Sequence, residues 1–106
     1  MAISGVMGTS FEQIIPMTGA LTMTAAQASA NLIVGTSSLP DTLTLPSVAQ
    51  MVASQNFQMY VSNKSSSGGT ITVAAASGDS IVGRITVAVS TSATFRHDGV
   101  KTWYGF

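Results

Sequence analysis

The residues of this chain that could support acid–base chemistry are few, and most lie at turn signals. His97 is the only histidine, and Asp98 follows it directly. An activated nucleophile needs a base within reach and a third group that orients the base, whereas adjacent residues on a turn usually point apart. The remaining acids, Glu12, Asp41 and Asp79, lie in no paired-carboxylate or calcium motif. We therefore expect no enzyme activity, no metal site and no cofactor.

A second group of residues, near the C-terminus, could bind a partner. It combines two aromatic rings with an imidazole and two cations, namely Arg96, His97, Lys101, Trp103 and Tyr104. Large rings and arginine are enriched among the residues that dominate binding at interfaces. The alternative is that Trp103 belongs to the core and Tyr104 to its rim, and we favour this alternative.

Charged residues make up only 8% of the 106 residues, about a third of the share that is usual in a soluble domain. Four are acidic and four are basic, so the net charge is zero. Surface charge is the usual protection against self-association, so its scarcity predicts a structural protein whose surface is largely covered by neighbouring subunits. Without a basic stripe, nucleic acid is not an expected ligand.

The sequence also bears on the cellular setting. It contains no cysteine, so disulfides and thiolate metal sites are excluded. The uncharged stretch 13–40 is interrupted by Pro16, Gly19 and Gly35, which argues against a membrane span. The N-terminus lacks the basic start and apolar run of a secretory signal, so we expect synthesis in the cytoplasm and no membrane partner.

The dominant hydrophobic period is two, which places alternate side chains on opposite faces of a strand. This alternation occurs in five segments, 21–24, 42–45, 57–62, 70–73 and 85–89. Segments 30–34 and 92–96, which are bounded by turn residues, are two further predicted strands. The pattern predicts an all-β fold, a small antiparallel β-sandwich or barrel-like domain. Its expected core contains Leu43, Leu45, Met59, Val61, Ile71, Val73, Ile85, Val87 and Val89.

One segment has helical rather than strand spacing. Val48, Met51 and Val52 recur at helical intervals just after Pro46, which predicts one short helix over 47–53 with Ser47 as N-cap. We expect these three apolar side chains to close one end of the sheets and to be candidates for contact with a second subunit. Segment 24–29 is either a helical turn or a bulged strand end.

The C-terminal segment 95–104 predicts a hairpin, because Asp98-Gly99 is a strong turn signal. A two-residue loop would place Phe95 opposite Thr102, and a five-residue loop would place it opposite Trp103. Aromatic cross-strand pairing favours the longer loop.

Residues 1–18 show no sustained period and are predicted to form an N-terminal arm or an edge segment, whereas residues 19–106 form a single β-domain. Phe11, Ile14, Ile15 and Met17 are the apolar anchors of the first segment. They would lie on the chain's own sheet or reach across to a neighbouring subunit, since termini are poorly ordered unless something holds them.

Thr-x-Thr pairs at Thr22/Thr24, Thr42/Thr44 and Thr70/Thr72 are similar to the flat threonine arrays of ice-binding β-solenoids. A solenoid stacks coils of constant length. The unequal spacing of these pairs argues against that architecture.

From residue 20 onward, the order of the segments resembles the small β-domains found on virions of tailed bacteriophages. The resemblance is carried by LTMTAAQ at 21–27, TLTLP at 42–46, FQMYVSN at 57–63, GTITVAA at 69–75, GDSIVG at 78–83 and the Asp98-Gly99 to Trp103-Tyr104 segment. It implies a homotrimeric virion component that contacts the major capsid protein or another virion protein.

We therefore expect a capsid decoration or cement protein on the capsid surface. The alternative is a receptor-binding tip of a phage tail or head fibre. Such a tip would recognise a host surface glycan or protein through the 96–104 hairpin.

Overall fold

The computed structural model describes residues 13–28, 31–55, 57–65 and 68–106. These residues form ten strands and two short helices. In chain order they are β1 (Gln13–Met17), β2 (Leu21–Thr22), α1 (Ala25–Ala28), β3 (Asn31–Gly35), β4 (Asp41–Thr44), α2 (Val48–Ala53), β5 (Gln58–Asn63), β6 (Ile71–Ala74), β7 (Ser80–Gly83), β8 (Thr86–Val87), β9 (Thr91–His97) and β10 (Thr102–Gly105). The prediction of a β-rich fold is confirmed.

The strands form two sheets. Sheet A has the order β1-β3-β5-β9-β10-β7, and sheet B has the order β2-β4-β6-β8. The prediction of an antiparallel arrangement is wrong, because five of the eight described strand pairs are parallel and only β5–β9, β9–β10 and β6–β8 are antiparallel. Alternating apolar and polar side chains indicate a half-buried strand, but they do not indicate whether the neighbouring strand runs parallel or antiparallel to it.

Successive strands from β1 to β8 alternate between the two sheets. The connection between two parallel neighbours in one sheet therefore includes a strand of the other sheet, and the chain winds as a coil. The coils differ in length, since Gln13 pairs with Asn31 whereas Leu32 pairs with Tyr60. The longer coil contains α2, which explains its extra residues. The chain can therefore wind as a coil even though the threonine pairs are unequally spaced.

Helix α2 forms where the sequence predicts it, because two side chains hold its first turn. The Ser47 hydroxyl accepts the Gln50 N–H at 3.2 Å, which confirms the predicted N-cap. The Asp79 carboxylate accepts the Val48 N–H at 2.9 Å from a distant part of the chain. An acidic group at this position also interacts favourably with the helix dipole. The second contact was not predicted from the sequence.

Helix α1 resolves the alternative left open for segment 24–29 in favour of a helical turn. The Thr24 N–H donates to the Gln27 side-chain oxygen at 3.0 Å, and the Gln27 N–H donates to the Thr24 hydroxyl at 3.2 Å. This reciprocal pair is a capping box, which satisfies two N–H groups that lack partners in a first helical turn.

The core lies between the two sheets. Of the predicted core residues, Leu43, Leu45, Met59, Val61, Ile71, Val73 and Val87 are buried. Ile85 is 42% exposed, so its assignment to the core is wrong. It lies just before β8, which spans only Thr86–Val87, so the strand begins later than predicted. Val89 lies beyond the same strand and is half-buried, so it does not belong to the buried core either.

Val48 and Met51 of α2 are fully buried in this same core. Their assignment as subunit contacts is therefore wrong, because the chain itself covers them. Of the three predicted contact residues, only Val52, which is 41% exposed, remains accessible.

The register of the C-terminal hairpin differs from the prediction. Trp103 lies opposite His97, and Phe95 lies opposite Gly105. The Phe95 ring packs over a glycine instead of pairing with the indole, and a side chain added at Gly105 would collide with this ring and with the Arg84 carbonyl oxygen. The close ring-over-glycine contact therefore replaces the expected aromatic pair.

Asn63, the last residue of β5, joins the two sheets. Its side-chain amide donates to the Gly69 carbonyl at 2.7 Å and to the Val87 carbonyl in β8 at 2.8 Å. Its side-chain oxygen accepts the Ser65 N–H at 3.0 Å. The residue is 1% exposed, so these three backbone groups have no easy replacement partner in water.

We predict that Asn63→Ala lowers the free energy of unfolding by about 3 kcal/mol or more, because each buried polar group left unsatisfied costs about 1–3 kcal/mol. Urea denaturation followed by tryptophan fluorescence measures the change. Gln50→Ala, which removes an exposed amide from α2, is the control and should shift stability by less than about 0.5 kcal/mol. Equal effects of the two substitutions would contradict the role assigned to Asn63.

We also predict that Gly105→Ala destabilises the fold by about 1–3 kcal/mol through overpacking. Gly19→Ala is the matched control, because a side chain added at Gly19 meets nothing within 4 Å. Thermal unfolding of both variants tests this difference. A Gly105→Ala variant as stable as the wild type would show that β10 can move away from Phe95.

Candidate assembly surface on the six-stranded sheet

Alternate side chains of sheet A point away from sheet B and form rows across the strands. We call the three rows described next the outer face of sheet A. The first row contains Gln58, Arg96, Tyr104 and Val82. The second contains Leu32, Tyr60, Thr94 and Phe106. The third contains Pro16, Val34, Ser62 and Ser92.

The outer face of sheet A carries apolar and aromatic side chains that no described helix or strand covers. Phe106 is 65% exposed, Val82 52% and Tyr104 41%. Leu32, Val34 and Tyr60 are half-buried among their neighbours. Contiguous apolar groups that remain accessible on a folded domain usually mark an interaction surface.

Arg96 is the only charged residue in these rows, and its position is fixed by hydrogen bonds. Its Nε donates to the Gln58 side-chain oxygen at 2.9 Å. The Gln58 amide in turn donates to the Tyr60 hydroxyl. Tyr104 lies on the other side of Arg96 in the same row. The guanidinium is therefore held between polar and aromatic neighbours, an arrangement typical of residues that dominate binding at interfaces.

The predicted recognition cluster is not one surface. Since neighbouring residues of a strand point to opposite faces, Arg96 and Tyr104 lie on the outer face whereas His97 and Trp103 point inward. Trp103 is 0% and His97 8% exposed. Lys101 is exposed in the hairpin loop. Trp103 therefore belongs to the core, as the alternative predicts, whereas Tyr104 lies on the outer face and not at the rim of the core.

His97 has a structural setting in the hairpin. Its Nδ1 accepts the Gly99 N–H at 3.0 Å, so the backbone occupies this nitrogen. The imidazole also lies between two rings, at 5.5 Å from Phe57 and in a perpendicular contact at 5.2 Å from Trp103. The indole Nε1 of Trp103 has no hydrogen-bond partner among the described residues.

Asp98 organises the hairpin loop. One carboxylate oxygen accepts three backbone N–H groups, from Val100 at 2.8 Å, Lys101 at 3.0 Å and Thr102 at 3.1 Å. These bonds, that from Thr102 above all, hold the pKa of Asp98 below its ordinary value of 3.8, although burial opposes them. Hydrogen bonds to the charged form explain the direction of this shift.

The N-terminal anchors lie on the chain's own sheet as far as the structure describes them. In β1, Met17 is 2% exposed and Ile15 packs partly buried against the core. Neither side chain is available as an anchor on a neighbour. Ile14 belongs to β1, but its side chain, like the whole of Phe11, lies outside the described residues.

The outer face of sheet B has a different character. Thr42, Thr72 and Thr86 lie opposite one another on successive strands, and Thr22 lies opposite Thr44. These positions present methyl and hydroxyl groups without charge or large apolar side chains. This face therefore offers less apolar area for binding than the outer face of sheet A.

Other candidate sites are weaker. An open depression of about 450 Å³ at the third row of the outer face is lined by Val34, Ser62, Asn63, Lys64, Ser90 and Ser92. Within the described ranges, no three His, Cys, Asp or Glu side chains group together as metal ligands. Neither of the two described helices is long and apolar enough for a membrane crossing.

Sequence reasoning missed Val82, Phe106, Tyr60 and Leu32 as surface residues of one face. The alternation within each strand shows that these residues point outward, but only the order of the strands shows which of them are neighbours.

Comparisons with protein-family profiles, with curated proteins and with solved structures give no match.

We predict that Asp98→Asn lowers stability at neutral pH and that its difference from the wild type shrinks as the pH falls below about 4. A carboxylate whose pKa is lowered by folding stabilises the fold above its unfolded pKa, and this contribution is lost as the pH falls through the folded pKa. Urea unfolding midpoints from pH 2 to 7 measure the effect.

Asp41→Asn, which removes a carboxylate elsewhere, separates this effect from a change in net charge. A deficit of Asp98→Asn that stays constant over the whole pH range would contradict the assigned role of the charge.

Proposed function

We propose that this protein is a structural subunit of a virion, a capsid decoration or cement protein that binds other protein through the outer face of sheet A. One observation carries the proposal: this face presents Tyr104, Phe106 and Val82 in accessible positions with a single charge among its rows. The scarcity of charge over the whole chain, 8% of residues, points in the same direction.

The dimensions of the molecule suit this role. It measures 35 × 35 × 20 Å, so a sheet face can present an area of the order that specific interfaces use, about 800 Å² per partner. Burial of apolar surface contributes about 25 cal/mol per Å², less the substantial cost of association. A broad, flat contact without catalytic groups would act mechanically, by bracing the proteins that it touches.

The resemblance to small β-domains of tailed-phage virions supports the more specific parts of the proposal. These are a homotrimer, a position on the capsid surface and the major capsid protein or another virion protein as partner. Arg96 would supply the oriented donor of the contact, because Gln58 already fixes its guanidinium. Carbonyl or carboxylate oxygens of the partner would accept its remaining N–H groups.

The adjacency of Arg96 and Tyr104 on exposed strands favours a second candidate function, the receptor-binding tip of a phage fibre. A ring beside a guanidinium could contact a host glycan or protein. Trp103 gives this alternative no support, since the indole is buried. Enhancement or quenching of tyrosine fluorescence by host-surface glycans, lost in Tyr104→Ser, would favour this candidate over the cement protein.

We predict that Tyr104→Ser combined with Phe106→Ser abolishes assembly of the chain, because the pair removes two accessible rings from the outer face. Sedimentation equilibrium should give a multiple of three times the mass of the chain for the wild type and a smaller species for the double variant. Leu39→Ser is the control, since Leu39 is 68% exposed but does not belong to the three rows.

The virion location has its own measurement. Quantitative mass spectrometry of gradient-purified particles, from the lysate in which the chain is produced, should recover it in a constant ratio to the major capsid protein. The double variant should be depleted from particles, whereas Leu39→Ser should be retained. Recovery of the wild-type chain only in the particle-free fraction would overturn the proposed function.

A further inference from the structure

The described strands leave four sheet edges, and three of them are unsuited to pairing with another strand. The edges are β1 and β7 in sheet A and β2 and β8 in sheet B. Strands β2 and β8 contain two residues each. Short edge strands, proline and charge are the usual devices that prevent strands of different molecules from pairing. The two longer edges, β1 and β7, differ in whether proline prevents such pairing.

The edge at β1 is blocked by Pro16. The Met17 carbonyl accepts the Thr36 N–H at 3.2 Å, on the side of β3. Since peptide groups alternate in direction along a strand, Ile15 also faces β3 and Pro16 faces outward. A proline at an outward position has no N–H to donate to an added strand.

The edge at β7 has no such device. Ser80 N–H donates to the Lys101 carbonyl at 2.9 Å and Arg84 N–H to the Gly105 carbonyl at 3.1 Å, both on the side of β10. By the same alternation, the peptide groups of Ile81 point away from the sheet. Gly83 has a positive φ of 87°, but its carbonyl also points away, because it lies opposite the Arg84 N–H in one planar peptide group. The strand has neither proline nor charge, and Val82 is 52% exposed.

We propose that β7 pairs with β7 of a second copy, antiparallel and across a two-fold axis at Val82. In this register, Ile81 of each copy lies opposite Gly83 of the other. Each of these two residue pairs exchanges two N–H to C=O hydrogen bonds, so the contact contains four. The two Val82 side chains face each other at the axis, on the same side of the joined sheet.

The charges at the ends of the strand favour a second copy in this orientation. Asp79 precedes β7 and Arg84 follows it. Antiparallel pairing brings the acidic end of one strand to the basic end of the other, whereas parallel pairing would bring like charges together. A two-fold contact of this kind is self-complementary, because the same groups serve both copies.

Pairing at β7 would join the two copies of sheet A into one continuous sheet. The first row of the outer face would then run from Gln58 through Val82 of one copy and back through the other. The inference goes beyond the proposed function, because it concerns the isolated protein and joins either two single chains or two trimers.

Single-cysteine variants test the register directly, since the chain has no cysteine. Residues directly opposite each other in an antiparallel pair have Cβ atoms about 4.5–5.5 Å apart, close to the separation that a disulfide needs. Under mild oxidation, Val82→Cys should become a disulfide-linked dimer, whereas Val100→Cys and Tyr104→Cys should remain reduced. Val100 is 73% exposed in the hairpin loop, so Val100→Cys measures the rate of cross-linking that random collisions between molecules produce.

The outcomes separate this inference from the proposed function. Cross-linking of Val82→Cys no faster than that of Val100→Cys would overturn the pairing of β7. Cross-linking of Tyr104→Cys in place of Val82→Cys would also overturn it, and would indicate that outer faces meet face to face, which leaves the proposed function standing.

Charge substitutions provide a second, reversible test. Val82→Lys alone and Val82→Glu alone should each halve the mass of the assembled species, because like charges would meet at the axis. An equimolar mixture of the two variants should restore it. Val100→Lys is the control and should leave the mass unchanged. An unchanged mass in both Val82 variants, measured by sedimentation equilibrium, would overturn the pairing.

Discussion

The buried amide of Asn63 is the constraint on which the arrangement of the two sheets depends. It lies at the end of a central strand of sheet A and binds the carbonyl of Val87 in the last strand of sheet B. Hydrophobic contacts between the sheets have no direction, so they do not fix how one sheet is placed over the other. A buried hydrogen-bonded side chain does fix it. The outer face of sheet A is therefore presented by a scaffold with a defined geometry.

The few charged residues mostly serve the backbone of the chain itself. Asp79 accepts the first N–H of α2, and Asp98 accepts three N–H groups of the hairpin loop. Arg84 donates to the carbonyls of Thr86 and Ser92. Charge is thus used at turns and helix ends, and the faces of both sheets are left largely to neutral groups. This distribution connects the unusual composition with the apolar character of the candidate assembly surface.

The sequence predicts the features that depend on local patterns. It does not predict the features that depend on contacts between residues far apart in the chain, such as strand direction and strand order. Alternation around Met59 and Val61 predicts a buried side of β5 correctly, and Ser47 predicts the start of α2. Strand direction could not be predicted, because a half-buried strand shows the same alternation beside a parallel or an antiparallel neighbour. The same alternation could have separated Arg96 from His97, which belong to one predicted recognition cluster. Val82 was overlooked because only the strand order places it at an edge.

The alternating path of the chain has a consequence for the order in which the molecule can fold. Strands β1 to β8 alternate between the sheets, so the two sheets grow together, and sheet A cannot be completed before sheet B. Strand β9, near the C-terminal end, lies between β5 and β10 in the middle of sheet A. During synthesis the two halves of that sheet therefore cannot meet until β9 and β10 have left the ribosome. Pairings so distant in sequence form slowly, and in that interval the emerging strands are exposed to one another on neighbouring chains.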